Sequence, residues 1–489
     1  MYLIDPAAHT RRAFLRRSGQ LALAGTAMPF ALNLAAMGEA AAQTAQDYKA
    51  LVCVFLYGGN DYANSVVAYD QPSYDAYSAI RGGSTGDGIA IARADLAGTV
   101  LQGARADGRD YALHQKMTAL ADLYNTTGKV AVQLNVGPLT VPLTRTQFFG
   151  SNRKLYPIPP KLFSHNDQQS TWQSSSPEGS TVGWGGNLGD YAIEQKQNTD
   201  SLFTCMSVAG NAVFLSGDTA LQYQVSTGGA IKIASANSNV YNSSSVKSAM
   251  ATLIQQSSGH LLESAYTEVT KRAIRAEADV TLAIGENTTA KPAFPAGTFK
   301  DTGLGRQLAM VARLIRGRST LGAKRQVFFV SMGGFDLHDN LVAKQPELMQ
   351  QLSDGLADFH RQMVDQKLEN NVTAFTASDF GRTMASNGNG SDHGWGSHHF
   401  VVGGAVKGKQ LYGTPPVITT TDNKAAAGYE NHVGQGRIIP TTSVDQYAAT
   451  LATWFGVPTA DLPAILPNLK NFGVTANGID YPKNVGFMA

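Results

Sequence analysis

Cysteine, net charge and long apolar runs are what this sequence lacks. Only Cys53 and Cys205 occur in 489 residues, too few for a disulfide-framed scaffold or a cysteine metal cluster. Both sit inside apolar, β-like runs, so they are expected as buried free thiols rather than as a pair, and any metal must be held by oxygen and nitrogen. Lys and Arg number 39 against 37 Asp and Glu. The first 42 residues carry Arg11, Arg12, Arg16 and Arg17 against Asp5 and Glu39, so the remainder is formally neutral. That balance gives no electrostatic footprint for nucleic acid or an anionic membrane. Beyond the N-terminus no apolar run reaches the roughly 20 residues of a bilayer span.

What the N-terminus does contain is Thr10-Arg11-Arg12-Ala13-Phe14-Leu15-Arg16, then a mildly apolar, Gly- and Ala-rich stretch over 21–37, then Ala40-Ala41-Ala42. A paired arginine, a short apolar segment and a small-residue cleavage site read as a twin-arginine export signal. Cleavage is expected before Gln43, and the mature part, residues 43–489, is expected to be periplasmic or secreted. This route carries proteins already folded, which suits a chain that acquires a metal before export.

Short β-branched and aromatic runs over 50–57, 130–135, 326–332, 372–377 and 400–402 end in Gly, Asn or Asp or run on into glycine, and read as buried strands. Helical patterns lie between them, over 113–126, 245–283, 304–316 and 347–367. The alternation predicts an α/β fold, one domain with a mostly parallel central sheet and helices on both faces. Residues 156–229 and 234–245 are polar and weakly periodic, and read as loop insertions over about 156–245.

Histidine is the informative residue, since five of the ten fall between His338 and His399. One of these, His360, lies in a helical pattern and is expected at the surface. Gly58-Gly59-Asn60-Asp61 follows the first strand, and Gly333-Gly334-Phe335-Asp336-Leu337-His338 follows the third. Two strands ending alike place carboxylates at the sheet's C-terminal edge, where open α/β sheets bind ligands, so Asp61 and Asp336 are expected close enough to share a metal site. Ser378-Asp379-Phe380-Gly381-Arg382-Thr383 follows the fourth strand, and Asp392-His393 and His398-His399 flank a Gly-rich loop. These supply oxygen and nitrogen ligands for a hard or borderline cation, and Arg382 adds a planar fork suited to an oxyanion. Gly388, Gly390, Gly394 and Gly396 leave little side-chain packing, so the loop is expected to need a metal to fix it. Ser164 is either a helix cap or a nucleophile at a helix N-terminus.

Through these four motifs the chain resembles domain-of-unknown-function family 1501, exported bacterial proteins marked by a strand-end GGND, a GGFD-x-H and an acid-FGRT followed by an Asp-His loop. The segments 304–308 and 444–456 share the likeness. Relation of that family to the alkaline phosphatase and sulfatase superfamily implies an alkaline-phosphatase-like α/β sandwich with one or two divalent metal ions: zinc, calcium, magnesium or manganese. The superfamily's residue order implies Asp61, Asp336, His338, Asp392, His393 and His398 or His399 as metal ligands and Ser164 as nucleophile. Asp379, rather than the Asp-His pair, directly follows its strand, which departs from that order. The leading expectation is an exported hydrolase of phosphate or sulfate esters, with Arg382 stabilising transition-state charge. The alternative is a non-catalytic, metal-stabilised secreted protein with a structural or partner-binding role.

Overall fold

Ten strands form one sheet in a computed structural model that describes residues 48–489 except 104–107, 234–238, 240, 257–258, 286–293 and 419–430. The export signal expected over residues 1–42 lies outside the described residues. In chain order the strands are β1 (Lys49–Leu56), β2 (Val130–Gly137), β3 (Cys205–Ser207), β4 (Gln222–Ser226), β5 (Gly229–Ala230), β6 (Arg325–Met332), β7 (Val372–Ser378), β8 (Ser397–Gly403), β9 (Gln410–Tyr412) and β10 (Thr442–Ser443). Across the sheet they run β9-β2-β8-β7-β1-β6-β3-β4-β5, with β10 also on β2. Central β1 is parallel to β6 and β7, and β3 is parallel to β6 and β4. Only β8, against its two neighbours, and the short β5 run antiparallel. The expected α/β fold with a mostly parallel sheet is therefore what forms.

Side-chain alternation along β1 explains its unbroken apolar sequence. Ala50, Val52, Val54 and Leu56 enter one core, while Leu51, Cys53 and Phe55 enter the other. Helices α1 (Tyr62–Ser65) and α2 (Gln71–Ile80) follow β1, and α3 (His165–Ser174) and α4 (Trp184–Glu194) follow β2. Later come α5 (Leu261–Ile284), α6 (Gly303–Arg316), α7 (Leu341–Asp365) and α8 (Val444–Phe455). The first core is closed by α5, α6 and α7 through Val280, Leu308 and Leu356. The second is closed by α3, α4 and α8 through Trp172, Trp184 and Tyr447. No helix among the described residues is long and apolar enough to cross a membrane.

Four expectations change. The polar stretch 156–245 is not only loops: it supplies α3, α4, β3, β4 and β5, because Trp172 and Trp184 fill the core and buried amides find partners, as when Gln173 accepts the Phe214 amide at 2.9 Å. His360 is buried, not superficial, because α7 is covered on a broad face that includes Leu356, Phe359 and Met363, and burial pushes its imidazole down to about 4. The pattern over 113–126 gives a strand, Tyr111–Leu113, then a helix, Thr118–Asp122, that ends in a wider turn over Leu123–Thr127. That over 245–283 splits into Ser244–Leu253 and α5. Both cysteines are free and buried as expected. With β6 between β1 and β3 they stand about two strand spacings, roughly 10 Å, apart, beyond disulfide reach.

Candidate metal centre

Three parallel strands, β7, β1 and β6, end side by side, and their following loops turn over the sheet's C-terminal edge. Glycine is required at the first turn: Gly58 has φ +115°, and a Cβ there would land on the Asp336 backbone amide. At Gly59, φ +92°, a Cβ would meet the Phe380 ring at 2.6 Å. The glycine pair thus lets the β1 loop press against the loops carrying Asp336 and Asp379.

Asp336 is the hub. Arg382 donates to its Oδ1 at 2.5 Å, and the Nε2 atoms of His338 and His393 lie 3.1 and 3.2 Å from the same oxygen. His165 Nε2 stands 3.4 Å from Oδ2. Each of these imidazoles has its Nδ1 against an acceptor: His165 on Asp379 Oδ2 at 2.6 Å, His338 on Asp392 Oδ1 at 3.2 Å, and His393 on the Phe163 carbonyl at 2.7 Å. A carbonyl only accepts, so His393 carries its proton on Nδ1 and, when neutral, presents a bare Nε2. That nitrogen lies 2.9 Å from His338 Nε2. Two bare imidazole nitrogens that close repel unless a proton or a cation lies between them. Among the described residues, His165, Asp336 and His393 are the group whose ligand atoms all fall within 4.8 Å of one another. Two nitrogens and a carboxylate, with His338 Nε2 beside them, make a donor set suited to zinc and other borderline divalent ions.

Local charge agrees with this arrangement. Burial works to raise the Asp336 carboxyl, yet the Arg382 guanidinium, with His338 and His165, holds it below its ordinary value. The hydrogen bond to Asp379 raises His165 above the usual imidazole value against the effect of burial. Burial lowers His393, with the neighbouring His165 and Arg382 acting in the same sense. Asp392 is partly desolvated but kept low by Asn387 and His338.

The structure gathers Asp336, His338, Asp392 and His393 and leaves the other expected ligands elsewhere. Asp61 caps α1, accepting the Ala63 and Asn64 amides on Oδ1, and pairs through Oδ2 with buried Arg81 at 2.5 Å. Asp61 and Asp336 do sit past neighbouring strands, but Arg382 and Ser391 stand between their carboxylates. His398 and His399 lie on β8, where adjacent side chains take opposite faces. His398 Nδ1 accepts the Asn135 amide and its ring meets Tyr62, whereas His399 packs on Trp172 and Tyr447. Burial drives both rings down to about 3. Arg382 is fully buried and donates to Asp336, the Gly58 carbonyl and Ser391, so its fork serves the protein. The Ser164 hydroxyl donates to Asp167 Oδ2 at 2.8 Å.

One member of the centre, His165, is absent from the sequence expectations; it follows Ser164 in a segment that reads as a helix cap. Asp379, just past β7 in the acid-FGRT motif, is among the expected oxygen donors but has no role of its own in those expectations. The signal for His165 is backbone strain that a sequence does not display: Phe163 has φ +74° and Lys161 φ +47°. A bulky residue at positive φ is an outlier, and here it aims the Phe163 carbonyl at His393 while presenting His165. The Gly-rich loop is also firmer than expected. It is laced by backbone bonds, among them Gly381 to Trp395 at 2.8 Å, Gly394 to Gly381 at 2.7 Å and Ser391 to Leu337 at 3.1 Å. Glycine allows this, since a Cβ at Gly394 would meet the Arg382 carbonyl at 2.6 Å.

Comparison with known proteins gives one family: residues 48–433 match that described as Protein of unknown function (DUF1501). No curated protein matches the chain. Among solved structures, the crystal structure of Ps i-CgsB aligns at 9% identity and TM-score 0.33, covering 86% of this chain and 77% of that one. A Bacteroides thetaiotaomicron structure from work on the metabolism of multiple glycosaminoglycans, designated BT33494S-sulf, aligns at 8% identity and TM-score 0.31 with the same coverage, 86% and 77%. At such scores neither assigns an activity.

Proposed function

We propose that this chain, which belongs to the DUF1501 family, holds a divalent cation between His165, His393 and Asp336 and hydrolyses a phosphate or sulfate ester there. One observation carries the reading: three imidazoles, each anchored at Nδ1, turn Nε2 toward a single carboxylate at the edge of a parallel sheet. A cation at that point supplies Lewis acidity toward an ester oxygen. The chain's own residues do the rest. Arg382 keeps Asp336 ionised and fixed. His338, the most exposed of the three imidazoles at 45%, stands where a proton can be taken up or given. Arg437 over the Phe163 ring adds positive charge suited to an anionic ester, whereas Lys161 is paired with Asp167 at 3.3 Å. Because the Ser164 hydroxyl is bonded to Asp167, water is the nucleophile in this reading.

A non-catalytic, cation-stabilised secreted protein is the second reading, favoured by the commitment of the Arg382 fork and the Ser164 hydroxyl to protein groups. Export by the twin-arginine route, with residues 43–489 as the mature domain, belongs to both. Elemental analysis of protein purified without chelator, with turnover of nitrophenyl phosphate and nitrophenyl sulfate by wild type and His393→Ala, separates them. A bound cation with turnover that the variant loses supports the hydrolase. Bound cation without turnover supports the second reading, and no cation removes both.

A further inference from the structure

The carboxylate of Asp379 is fully buried at the end of β7. A buried charge is costly unless an opposite charge or several donors compensate it. The Oδ2 atom receives three donors: the Gly58 amide at 3.1 Å, Gln169 Nε2 at 2.9 Å and His165 Nδ1 at 2.6 Å. Oδ1 is buried with no partner. No lysine or arginine pairs with this carboxylate among the described residues, and its one ion-pairing contact is His165. The buried negative charge is therefore balanced only to the extent that the imidazole carries positive character.

The other two imidazoles are held differently. His338 leans on Asp392, a third exposed and 3.2 Å away, so water competes for that contact. His393 leans on a neutral carbonyl. Only His165 combines a short contact, a buried partner and a charge, and its own Nε2 faces Asp336 across the centre. Gly58 and Gln169 fix the carboxylate from the β1 loop and from α3, the helix that carries His165, so the partner cannot turn away.

We infer that Asp379 is a positioning residue acting through His165: it holds the proton on Nδ1, keeps Nε2 bare toward Asp336, and ties its unbalanced buried charge to the presence of a cation. The ring orientation follows from geometry alone, and the affinity effect rests on the cation reading above. Asparagine in place of Asp379 can still accept from Nδ1 but carries no charge, while alanine removes both acceptor and charge. The two variants separate the hydrogen bond from the electrostatics.

The test uses the full chain with nitrogen-15 in its histidines, the His165 signals being assigned by their loss in His165→Gln. Long-range proton–nitrogen spectra of the metal-free protein at about pH 9, where an ordinary imidazole is neutral, read which ring nitrogen bears the proton. Zinc affinity is measured in parallel by competition with a chelator. The expected result is an Nδ1–H tautomer at His165 in wild type and Asp379→Asn, and loss of that preference in Asp379→Ala. Zinc affinity should fall at least tenfold in Asp379→Asn and further in Asp379→Ala, within the roughly 10–100-fold cost of losing such a partner. An Nε2–H tautomer in wild type overturns the inference and needs no variant to fold. So does zinc affinity unchanged in both variants. If wild type binds no zinc while His165 is Nδ1–H, the cation reading and the charge coupling fail but the positioning stands.

Discussion

Replacing Asp61 by alanine should be among the most damaging changes available near the sheet edge, and for a reason unrelated to metal. Its carboxylate pairs at 2.5 Å with Arg81, and the two side chains are 4% and 0% exposed. Removing one partner of a buried pair leaves an uncompensated charge, at a cost of about 3–5 kcal/mol. Oδ1 also accepts the Ala63 and Asn64 amides at the start of α1, and losing such a cap costs about 1 kcal/mol. Asp61→Ala should therefore lose about 4–6 kcal/mol. Asp61→Asn, which retains a capping oxygen, should lose about 1 kcal/mol less. Replacing both members of the pair, Asp61→Asn with Arg81→Met, should recover much of the loss because no lone charge remains buried. Urea unfolding of each protein with and without chelator measures these values. A cost below about 2 kcal/mol, or a cost present only without chelator, would refute the reasoning and return Asp61 to the metal ligands.

Three further outcomes are expected. Chelator should lower the melting temperature of wild type, since a cation at a hundredfold excess over Kd adds about 2.7 kcal/mol; His393→Ala should start lower and respond little, and an indifferent wild type would argue against the centre. Burial holds His398 and His399 down at about 3, so the stability of their neutral forms is present above the ordinary value near 6.5 and is lost as pH falls through it toward 3. Each ring then contributes a slope of about 1.4 kcal/mol per pH unit, so the His399→Phe melting temperature should fall less steeply than wild type between about pH 6 and about pH 4; an unchanged slope contradicts burial of a neutral ring. Arg11→Lys with Arg12→Lys should leave the precursor in the cytoplasm, because lysine lacks the planar fork of the guanidinium; fractionation showing normal periplasmic recovery excludes the twin-arginine route.

The sheet is legible in the sequence because strands buried on both faces must be apolar at every position, as 50–56 and 327–330 are. The Gly58-Gly59 ending is equally legible, since only glycine permits the approach of that strand-end loop to the next. What the composition hides is the fate of polar side chains. Asp61 and Asp336 share a pattern, yet one is claimed by Arg81 and the other faces solvent among imidazoles, and no local spacing distinguishes them. The pair His398-His399 invites a two-ligand reading until it is placed on a strand, where neighbours must part. His165 belongs to the centre through the conformation of Phe163, a property of tertiary packing that leaves no mark in composition or period.

The order of the strands has a consequence for how the centre comes into being. His165 enters from α3, which follows β2 by a long connection, Asp336 from the loop after β6, and His393 from the loop before β8. No two of them belong to one local unit, and each pairwise approach closes a long loop whose entropy is recovered only when the sheet is assembled. A nascent or unfolded chain therefore offers a cation at most the local pairs Asp336 with His338 and Asp392 with His393, without the three ligands that meet at the centre. The centre is a product of folding and cannot be its nucleus, so cation added before refolding should leave the folding rate unchanged and act on unfolding alone.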